Sequence, residues 1–172
     1  MDLTDEDVPE IFRAIQSKNM SQVVLTLSNN KLTAVGVKQL VEKINKAKQH
    51  LILINLSGNP IGDIGIKYIF ELFGDKELEE IKLKNTGLTD KGIRQLVDGI
   101  LRLKPPKASK FFMGDNKGIT DASVNQLLRL KGFKQEALFD ITGCSLSEGA
   151  KVQLKNASNI FVVERDQTSY WR

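Results

Sequence analysis

The sequence predicts an α/β fold in which a strand, a turn and a helix recur along the chain as a solenoid. Residues 51–73 show the unit: a short apolar, β-branched run, a turn at Asn59 and Pro60, and a helical stripe of apolar residues. Similar stretches begin 27 to 30 residues apart, and a fixed period of about 20 to 50 residues is typical of stacked repeats. Because neither element hides its apolar face alone, neighbouring copies must supply the core.

Five predicted strands open the repeats, each with apolar residues at alternate positions. These inward pairs are Leu25/Leu27, Ile54/Leu56, Ile81/Leu83, Phe111/Met113 and Phe139/Ile141. A small polar residue follows each pair, at Asn30, Asn59, Thr86, Asn116 and Cys144. We expect each Asn amide to both donate to and accept from backbone groups that the turn leaves unpaired. Cys144 at the same position is expected to be a small buried thiol.

The helices repeat independently of the strands. Apolar residues at i, i+3, i+4 and i+7 predict amphipathic helices over Val8/Ile11/Phe12/Ile15, Val37/Leu40/Val41/Ile44, Ile66/Ile69/Phe70/Phe73 and Ile93/Leu96/Val97/Ile100. A shorter copy begins at Val124 and has Lys131 where the last apolar residue is expected. Thr4, Thr89, Thr120 and Ser147 are predicted N-caps of the helices that follow them, and Asp90 and Asp121 in the first turns are interpreted as helix-capping charges.

The whole chain is predicted to be one domain. Its expected parts are an N-terminal half-repeat cap over residues 1–20, five repeats over 21–157, and a capping strand and tail over 158–172. The first helix, residues 5–17, precedes any recognisable strand, so the array is expected to begin half-way through a repeat. Residues 159–163 predict a last strand. Tyr170 and Trp171 in the tail are interpreted as a lid over the final repeat, a disordered end or a partner contact.

Two copies carry the full pattern of apolar residues, turn residue and helical glycine. They are Leu51/Ile54/Leu56/Asn59/Ile61/Gly65/Ile69 and Leu78/Ile81/Leu83/Thr86/Leu88/Gly92/Leu96. This pattern resembles the leucine-rich repeat of the long, ribonuclease-inhibitor-like subtype, and the resemblance extends from about residue 3 to residue 154. It departs where Thr86 and Cys144 replace asparagine, where Ser123 and Ala150 replace glycine, and where an extra residue lengthens the fourth turn at 117–118.

The resemblance implies a right-handed horseshoe arc, with a parallel sheet on the concave face and helices on the convex face. It implies a leucine-rich-repeat domain that binds a protein partner and catalyses no reaction. Strand residues between the inward positions then face the hollow.

Seven of these residues are predicted to bind the partner: Thr26, Asn55, Lys82, Lys84, Lys110, Phe112 and Asp140. Phe112 is expected to point toward solvent with the three lysines around it, as in an interface hot spot. The alternative interpretation folds Phe112 back over the fourth turn and leaves the lysines solvated. The predicted partner is an acidic or amphipathic protein.

Composition and charge argue against several other classes of protein. Apolar residues make up 41% of the chain and charged residues 27%, as in an ordinary globular protein. The net charge of +4 is too small to predict nucleic-acid binding. No apolar run approaches the ~18–20 residues of a membrane span, and the acidic start MDLTDEDVPE does not resemble a signal peptide. A cytoplasmic monomer is therefore expected.

The chain has few residues of the types that form catalytic sites. The chain has one His, His50, and one Cys, Cys144, and neither a suggestive carboxylate pair nor a glycine-rich phosphate loop. The sequence thus predicts no enzymatic activity, no metal site and no cofactor.

Three further functions remain open by analogy. Ran GTPase-activating proteins are similar in repeat type, although the predicted turns here contain no arginine that could reach a nucleotide. The terminal domain of tropomodulin is similar in having five repeats, which makes a cytoskeletal role an alternative. Secreted bacterial effectors are built on the same repeats, in which case the chain would be delivered into a host cell.

Overall fold

The computed structural model describes residues 2–17, 23–73, 78–103, 109–131, 137–157 and 160–162. The strands in these ranges are β1 (Val23–Thr26), β2 (Leu51–Asn55), β3 (Glu80–Lys82), β4 (Lys110–Phe112), β5 (Ala137–Asp140) and β6 (Ile160–Val162). The helices are α1 (Val8–Ser17), α2 (Ala34–Lys46), α3 (Gly62–Ile69), α4 (Asp90–Arg102), α5 (Val124–Leu128) and α6 (Glu148–Lys155). Short 3-10 turns at Asp5–Asp7 and Asp121–Ser123 precede α1 and α5, and one at Phe70–Leu72 follows α3.

The strands form one parallel sheet in chain order, from β1 to β6. The register aligns the inward residues Leu25, Ile54, Ile81, Phe111 and Phe139 across it. Successive helices pack against each other on one side of the sheet. The predicted parallel α/β solenoid is confirmed, and so is the last strand expected within residues 159–163.

Curvature follows from the different widths of the two layers. Parallel strands repeat about every 4.8 Å, whereas packed helices need about 8–10 Å. A stack with one strand and one helix per unit therefore bends with the sheet inside. We call the sheet surface opposite the helices the concave face.

Apolar residues from sheet and helices share one core. Leu56, Leu83 and Met113, which follow the strands, are 0%, 1% and 0% exposed, as their inward positions require. The rings of Phe111 and Phe139 stack with centroids 5.0 Å apart, and Phe73 meets Phe111 edge-on at 6.1 Å. Both ring contacts join residues of different repeats.

Two helices end irregularly, and this changes which residues are buried. The i→i+3 bonds from Leu130 N to Leu127 O and from Lys131 N to Leu128 O tighten the chain after α5. Leu130 is consequently buried and Lys131 exposed, so the apolar position predicted at 131 is filled one residue earlier.

A similar 3-10 turn after α3 rotates the following side chains. Leu72 is buried there, whereas Phe70 is only half-buried and lies over the edge of the core. The predicted stripe is met by Ile66, Ile69 and Phe73, which are buried, whereas Phe70 packs against the core from its edge.

The turn asparagines form the predicted ladder. The Nδ2 of Asn59 donates to Leu27 O and Leu56 O at 2.8 and 2.9 Å, and its Oδ1 accepts from Leu32 N at 3.0 Å. Asn116 makes the corresponding bonds in the fourth repeat. Both amides are almost completely buried, so each satisfies backbone groups of its own repeat and of the one before.

A second ladder joins aspartates to the N-caps of the next repeat. Asp63 accepts from the backbone N–H and hydroxyl of Thr89 at 2.9 and 2.7 Å. The equivalent pairs are Asp5 with Thr33, Asp90 with Thr120, and Asp121 with Ser147. The predicted N-caps Thr89, Thr120 and Ser147 are confirmed, because each hydroxyl accepts from a backbone N–H of the turn that it opens.

The interpretation of Asp90 and Asp121 as helix caps was therefore incomplete. Their carboxylates accept hydrogen bonds from the following repeat, because the parallel stack places its N-cap residue directly alongside. Tyr170 and Trp171 lie outside the described residues, and the proposed division of the chain into cap, repeats and tail stays a prediction.

Candidate protein-binding surface

The concave face carries three rows of side chains that run across the strands. Pairing of Thr26 with Asn55, of Asn55 with Lys82, of Lys82 with Phe112 and of Phe112 with Asp140 defines the central row. Five of the seven predicted binding residues thus lie side by side in one line, about 4.8 Å from each neighbour by the spacing of parallel strands.

Two further rows flank the central one. The outer row, two residues earlier on each strand, consists of Val24, Leu53, Glu80, Lys110 and Leu138. The exit row, two residues later, consists of Ser28, Ser57, Lys84, Gly114 and Thr142. Backbone bonds such as Gly58 N to Lys84 O at 2.8 Å continue the strand spacing into the exit row. Lys110 and Lys84 therefore belong to the rows on either side of Phe112.

Phe112 lies at the middle of a small mixed cluster. Its ring is half-buried, and the Nζ of Lys82 sits 5.2 Å from the ring centroid, within the range of a cation–π contact. The same Nζ bonds to Glu80 Oε1 at 2.8 Å. Glu80, Lys82 and Phe112 thus hold one another on the concave face, and part of the aromatic surface remains accessible.

The other two lysines do not gather around Phe112 as predicted. Lys84 Nζ pairs with Asp115 Oδ2 at 3.1 Å, toward the turn that follows β4. Lys110 makes no ion pair with any described residue. Of the three lysines, Lys82 reaches the ring while paired with Glu80, whereas Asp115 draws Lys84 toward the turn after β4. The face is accordingly less cationic than its lysines alone indicated.

Two polar members of the central row are fixed by local bonds. Asn55 Oδ1 accepts from Ser57 N at 3.1 Å, and Asp140 Oδ1 accepts from Thr142 N at 2.9 Å. These bonds between a side chain and the backbone two residues later are typical of Asx turns and orient both groups at the strand exits. Thr26 is exposed at the opposite end of the row.

Strand alternation places Glu80 on this face, two residues before Lys82, but sequence reasoning did not count it among the binding residues. Asp115 was missed altogether, because it lies in a turn with a φ of 57°, and nothing in the residue pattern indicated its direction toward Lys84.

The chain's thiol and imidazole lie apart from this surface. Cys144 is half-buried, with its Sγ 3.5 Å from Met113 O, and burial raises the pKa of the thiol to about 11. His50 is exposed between α2 and β2. Among the residues that the structure describes, no group of His, Cys, Asp and Glu side chains is placed to hold a metal ion. None of the described helices has the length and apolar character needed to cross a membrane.

A known family matches the chain at its second strand. Residues 47–70, from the approach to β2 through α3, match the family model described as "Leucine Rich repeat". This segment of the chain is a leucine-rich repeat. Leucine-rich repeats typically bind proteins and are generally non-catalytic. No curated protein matches the chain. Assignment to the ribonuclease-inhibitor-like subtype stays a prediction.

Proposed function

We propose that this leucine-rich-repeat protein is a non-enzymatic interaction module that holds a protein partner against its concave face. The observation that carries the proposal is the central row, in which the sheet register aligns Phe112 with four other side chains in one line. An aromatic ring under a cation, with apolar and polar neighbours, is the combination that contributes most to protein interfaces.

The charge pattern favours an amphipathic partner segment over a purely acidic one. Lys82 and Lys84 are already paired with Glu80 and Asp115, so their charge is largely offset within the protein. Leu53 and Leu138 are half-buried on the same face as Phe112 and extend its apolar surface. A partner with apolar side chains over these residues and polar groups along the rims would match the face.

The test uses the immobilised protein to capture partners from an extract of its native source. Recovered proteins are quantified by mass spectrometry for the wild type, for Phe112→Ala and for Ile64→Ala. Ile64 is the matched control, since it is an apolar residue of α3 that is 65% exposed away from the sheet. Loss of a hot-spot aromatic typically costs at least about 2 kcal/mol, so recovery should fall about tenfold or more with Phe112→Ala only.

Equal recovery of partners by the wild type and Phe112→Ala would show that the partner does not bind the concave face around Phe112. A second pair, Lys82→Glu and Lys67→Glu, tests the electrostatic part, because Lys67 is an exposed lysine of α3. Circular dichroism and thermal unfolding of each variant separate lost binding from lost folding.

The GTPase-activating alternative gains no support from the placement of arginines. Arg94 and Arg102 lie in α4, and Arg129 bonds to Asp98 at 2.6 Å at the end of α5. These positions are on the helical side, away from the turns at the strand exits. The cytoskeletal and effector alternatives rest on repeat type alone.

A further inference from the structure

The first strand of the sheet has an unshared hydrogen-bonding edge. Within the described residues, β1 pairs with β2 only. Inward residues of this sheet donate to the following strand, as in Leu27 N to Asn55 O at 2.8 Å and Leu56 N to Lys82 O at 2.9 Å. In a parallel ladder, alternate residues bond to opposite sides. The backbone groups of Val24 therefore point to the side where a preceding strand would lie.

The chain already places part of a preceding repeat beside β1. Leu3 N donates to Asn30 Oδ1 at 3.0 Å, just as Leu32 N donates to Asn59 Oδ1 at 3.0 Å in the next repeat. Residues 3–17 thus occupy the turn and helix positions of a repeat. Each later unit in the described chain adds a strand in front of its turn, and that strand position is the edge of β1.

The amide of Asn30 differs from its counterparts in one contact. Asn59 and Asn116 each donate to the carbonyl of the preceding repeat, at Leu27 and Leu83, both at 2.8 Å. The Nδ2 of Asn30 bonds to Leu27 O and Ser28 O of its own repeat. By the repeat geometry, a strand carbonyl at the β1 edge would be the equivalent acceptor.

The core is also less covered at this edge. Val23, Leu25 and Leu27 are each 7% exposed, whereas the β2 counterparts Leu51 and Ile54 are 1% and 0% exposed. Inward side chains from an added strand would cover this margin and bury further apolar surface.

We propose that the β1 edge accepts an extended strand of another polypeptide, running parallel to β1 with apolar residues at alternate positions. The partner would supply backbone groups to Val24 and its neighbours and inward side chains to the core beside α1. This is strand addition, in which main-chain bonds give affinity and alternate side chains give specificity. It uses a different surface from the concave-face row and does not depend on it.

The probe is a fluorescent peptide with the sequence of residues 51–59, LILINLSGN, carrying one added lysine at each end for solubility. Polarisation titration with the full chain should show saturable binding. N-methylation at Ile54 and Leu56 blocks the amides that face the following strand, whereas N-methylation at Leu53 and Asn55 blocks the opposite amides. The first peptide should bind at least tenfold more weakly than the unmodified one, and the second should retain most of its affinity.

A pair of protein variants tests the same edge from the other side. Val24→Pro removes an outward N–H that the sheet does not use, and proline is tolerated at such edge positions. Val24→Thr keeps both the N–H and the branched shape. Peptide binding should be lost with the proline variant only, with thermal unfolding used to check the fold. If that variant does not fold, the difference in affinity between the two N-methylated peptides still tests whether the peptide pairs with the β1 edge.

Absence of saturable binding by the unmodified peptide, or equal binding by the two N-methylated peptides, would overturn the proposal. Analytical sedimentation of the wild type and of Val24→Pro tests whether a second copy of this chain occupies the edge. A wild-type dimer that the proline variant converts to a monomer would assign the edge to a second copy of this chain and would also overturn it.

Discussion

At the scale of single residues, aspartate and threonine connect one repeat to the next. The carboxylate of Asp63 receives two bonds from Thr89, and the hydroxyl of Thr89 in turn accepts from Lys91 N in its own helix. One rung is different: Ala34 and Gly62 stand at the Asp and Thr positions of the second interface. Both members of this pair are replaced together, which is consistent with a bond that needs both of them.

We predict that Asp90→Ala lowers the free energy of unfolding by about 1–3 kcal/mol, because it leaves the N–H and hydroxyl of Thr120 without their acceptor. Ser123, which also donates to Asp90, loses its partner as well. Urea unfolding measures the change. Asp98→Ala is the control, since its exposed pair with Arg129 should be worth less than about 1 kcal/mol. Equal effects of the two substitutions would contradict a special role for the ladder.

The same carboxylates should make stability depend on acid. Burial raises the pKa of Asp90, but the hydrogen bonds from Ser123 and Thr120 outweigh it and hold the pKa below its ordinary value of 3.8. A lowered pKa in the folded state contributes stability above the ordinary value, which is lost as pH falls through the folded value. Unfolding measured at pH values below about 4 should therefore be less pH-dependent in Asp90→Asn than in the wild type. Parallel curves would show that other carboxylates dominate acid unfolding.

Cys144 should behave as an inert thiol in the folded protein. Because burial raises its pKa to about 11, little thiolate forms at pH 8, and alkylation by iodoacetamide should become fast only on unfolding. The raised pKa stabilises the fold below the ordinary value of 9.0, and this contribution is lost as pH rises toward 11. Between pH 9 and 11, Cys144→Ala should lose less stability than the wild type. Rapid alkylation of the native protein at pH 8 would contradict the assignment.

At the scale of elements, small residues in the helices make room for the aspartate ladder. A Cβ on Gly92 of α4 would lie 2.4 Å from Asp63 Oδ1, and one on Gly36 of α2 would lie 2.1 Å from Asp5 Oδ1. Ser123 stands at the equivalent position of the fourth repeat and donates a hydrogen bond to Asp90 instead. The recurring helical glycine is therefore explained by close packing between repeats.

Two glycine substitutions separate packing from helix propensity. Gly149→Ala in α6 should raise the free energy of unfolding by about 0.5–1 kcal/mol, because alanine favours helix and the new Cβ meets only Ser147 Oγ at 3.9 Å. Gly92→Ala gains the same propensity but displaces the carboxylate that Thr89 holds. It should therefore be destabilising in the same thermal unfolding measurement. A stabilising Gly92→Ala would show that Asp63 moves away at little cost.

At the scale of the whole molecule, stability comes from contacts between adjacent repeats. The stacked rings of Phe111 and Phe139 join the fourth repeat to the fifth, and the edge-on contact of Phe73 with Phe111 joins the fourth repeat to the end of the second. In such arrays the free energy of unfolding is approximately a sum over units and their interfaces. A change at Phe111 therefore affects two interfaces at once.

We predict that Phe111→Ala lowers the free energy of unfolding by about 3–5 kcal/mol, since it leaves a cavity between two repeats. Val152→Ala, at a side chain that is 55% exposed on α6, is the control and should change stability by less than about 0.5 kcal/mol. Denaturant unfolding with far-UV circular dichroism measures both. A loss below about 1 kcal/mol for Phe111→Ala would mean that the two interfaces repack around the cavity.

Much of this architecture could be predicted because the same pattern of apolar residues recurs in every repeat. The alternating pairs such as Ile54/Leu56 predicted the strands, the quartets predicted the helices, and both agreed on one period. The candidate surface was predicted less completely. Strand alternation identified the central row, but the pairing of Lys84 with Asp115 depends on a turn whose direction no periodic pattern encodes.

The sequence by itself determined the order of elements, the inward residues and the face on which Phe112 lies, because each depends on local periodicity. Only the tertiary structure decided that Asp90 binds Thr120 of the next repeat, that Leu130 replaces Lys131 in the core, and that Lys82 rather than Lys84 covers Phe112. The burial of Leu130 depends on the irregular turn that ends α5. The contacts of Asp90 and Lys82 depend on distances between residues 30 positions apart, which are set when the repeats stack and not by any one of them.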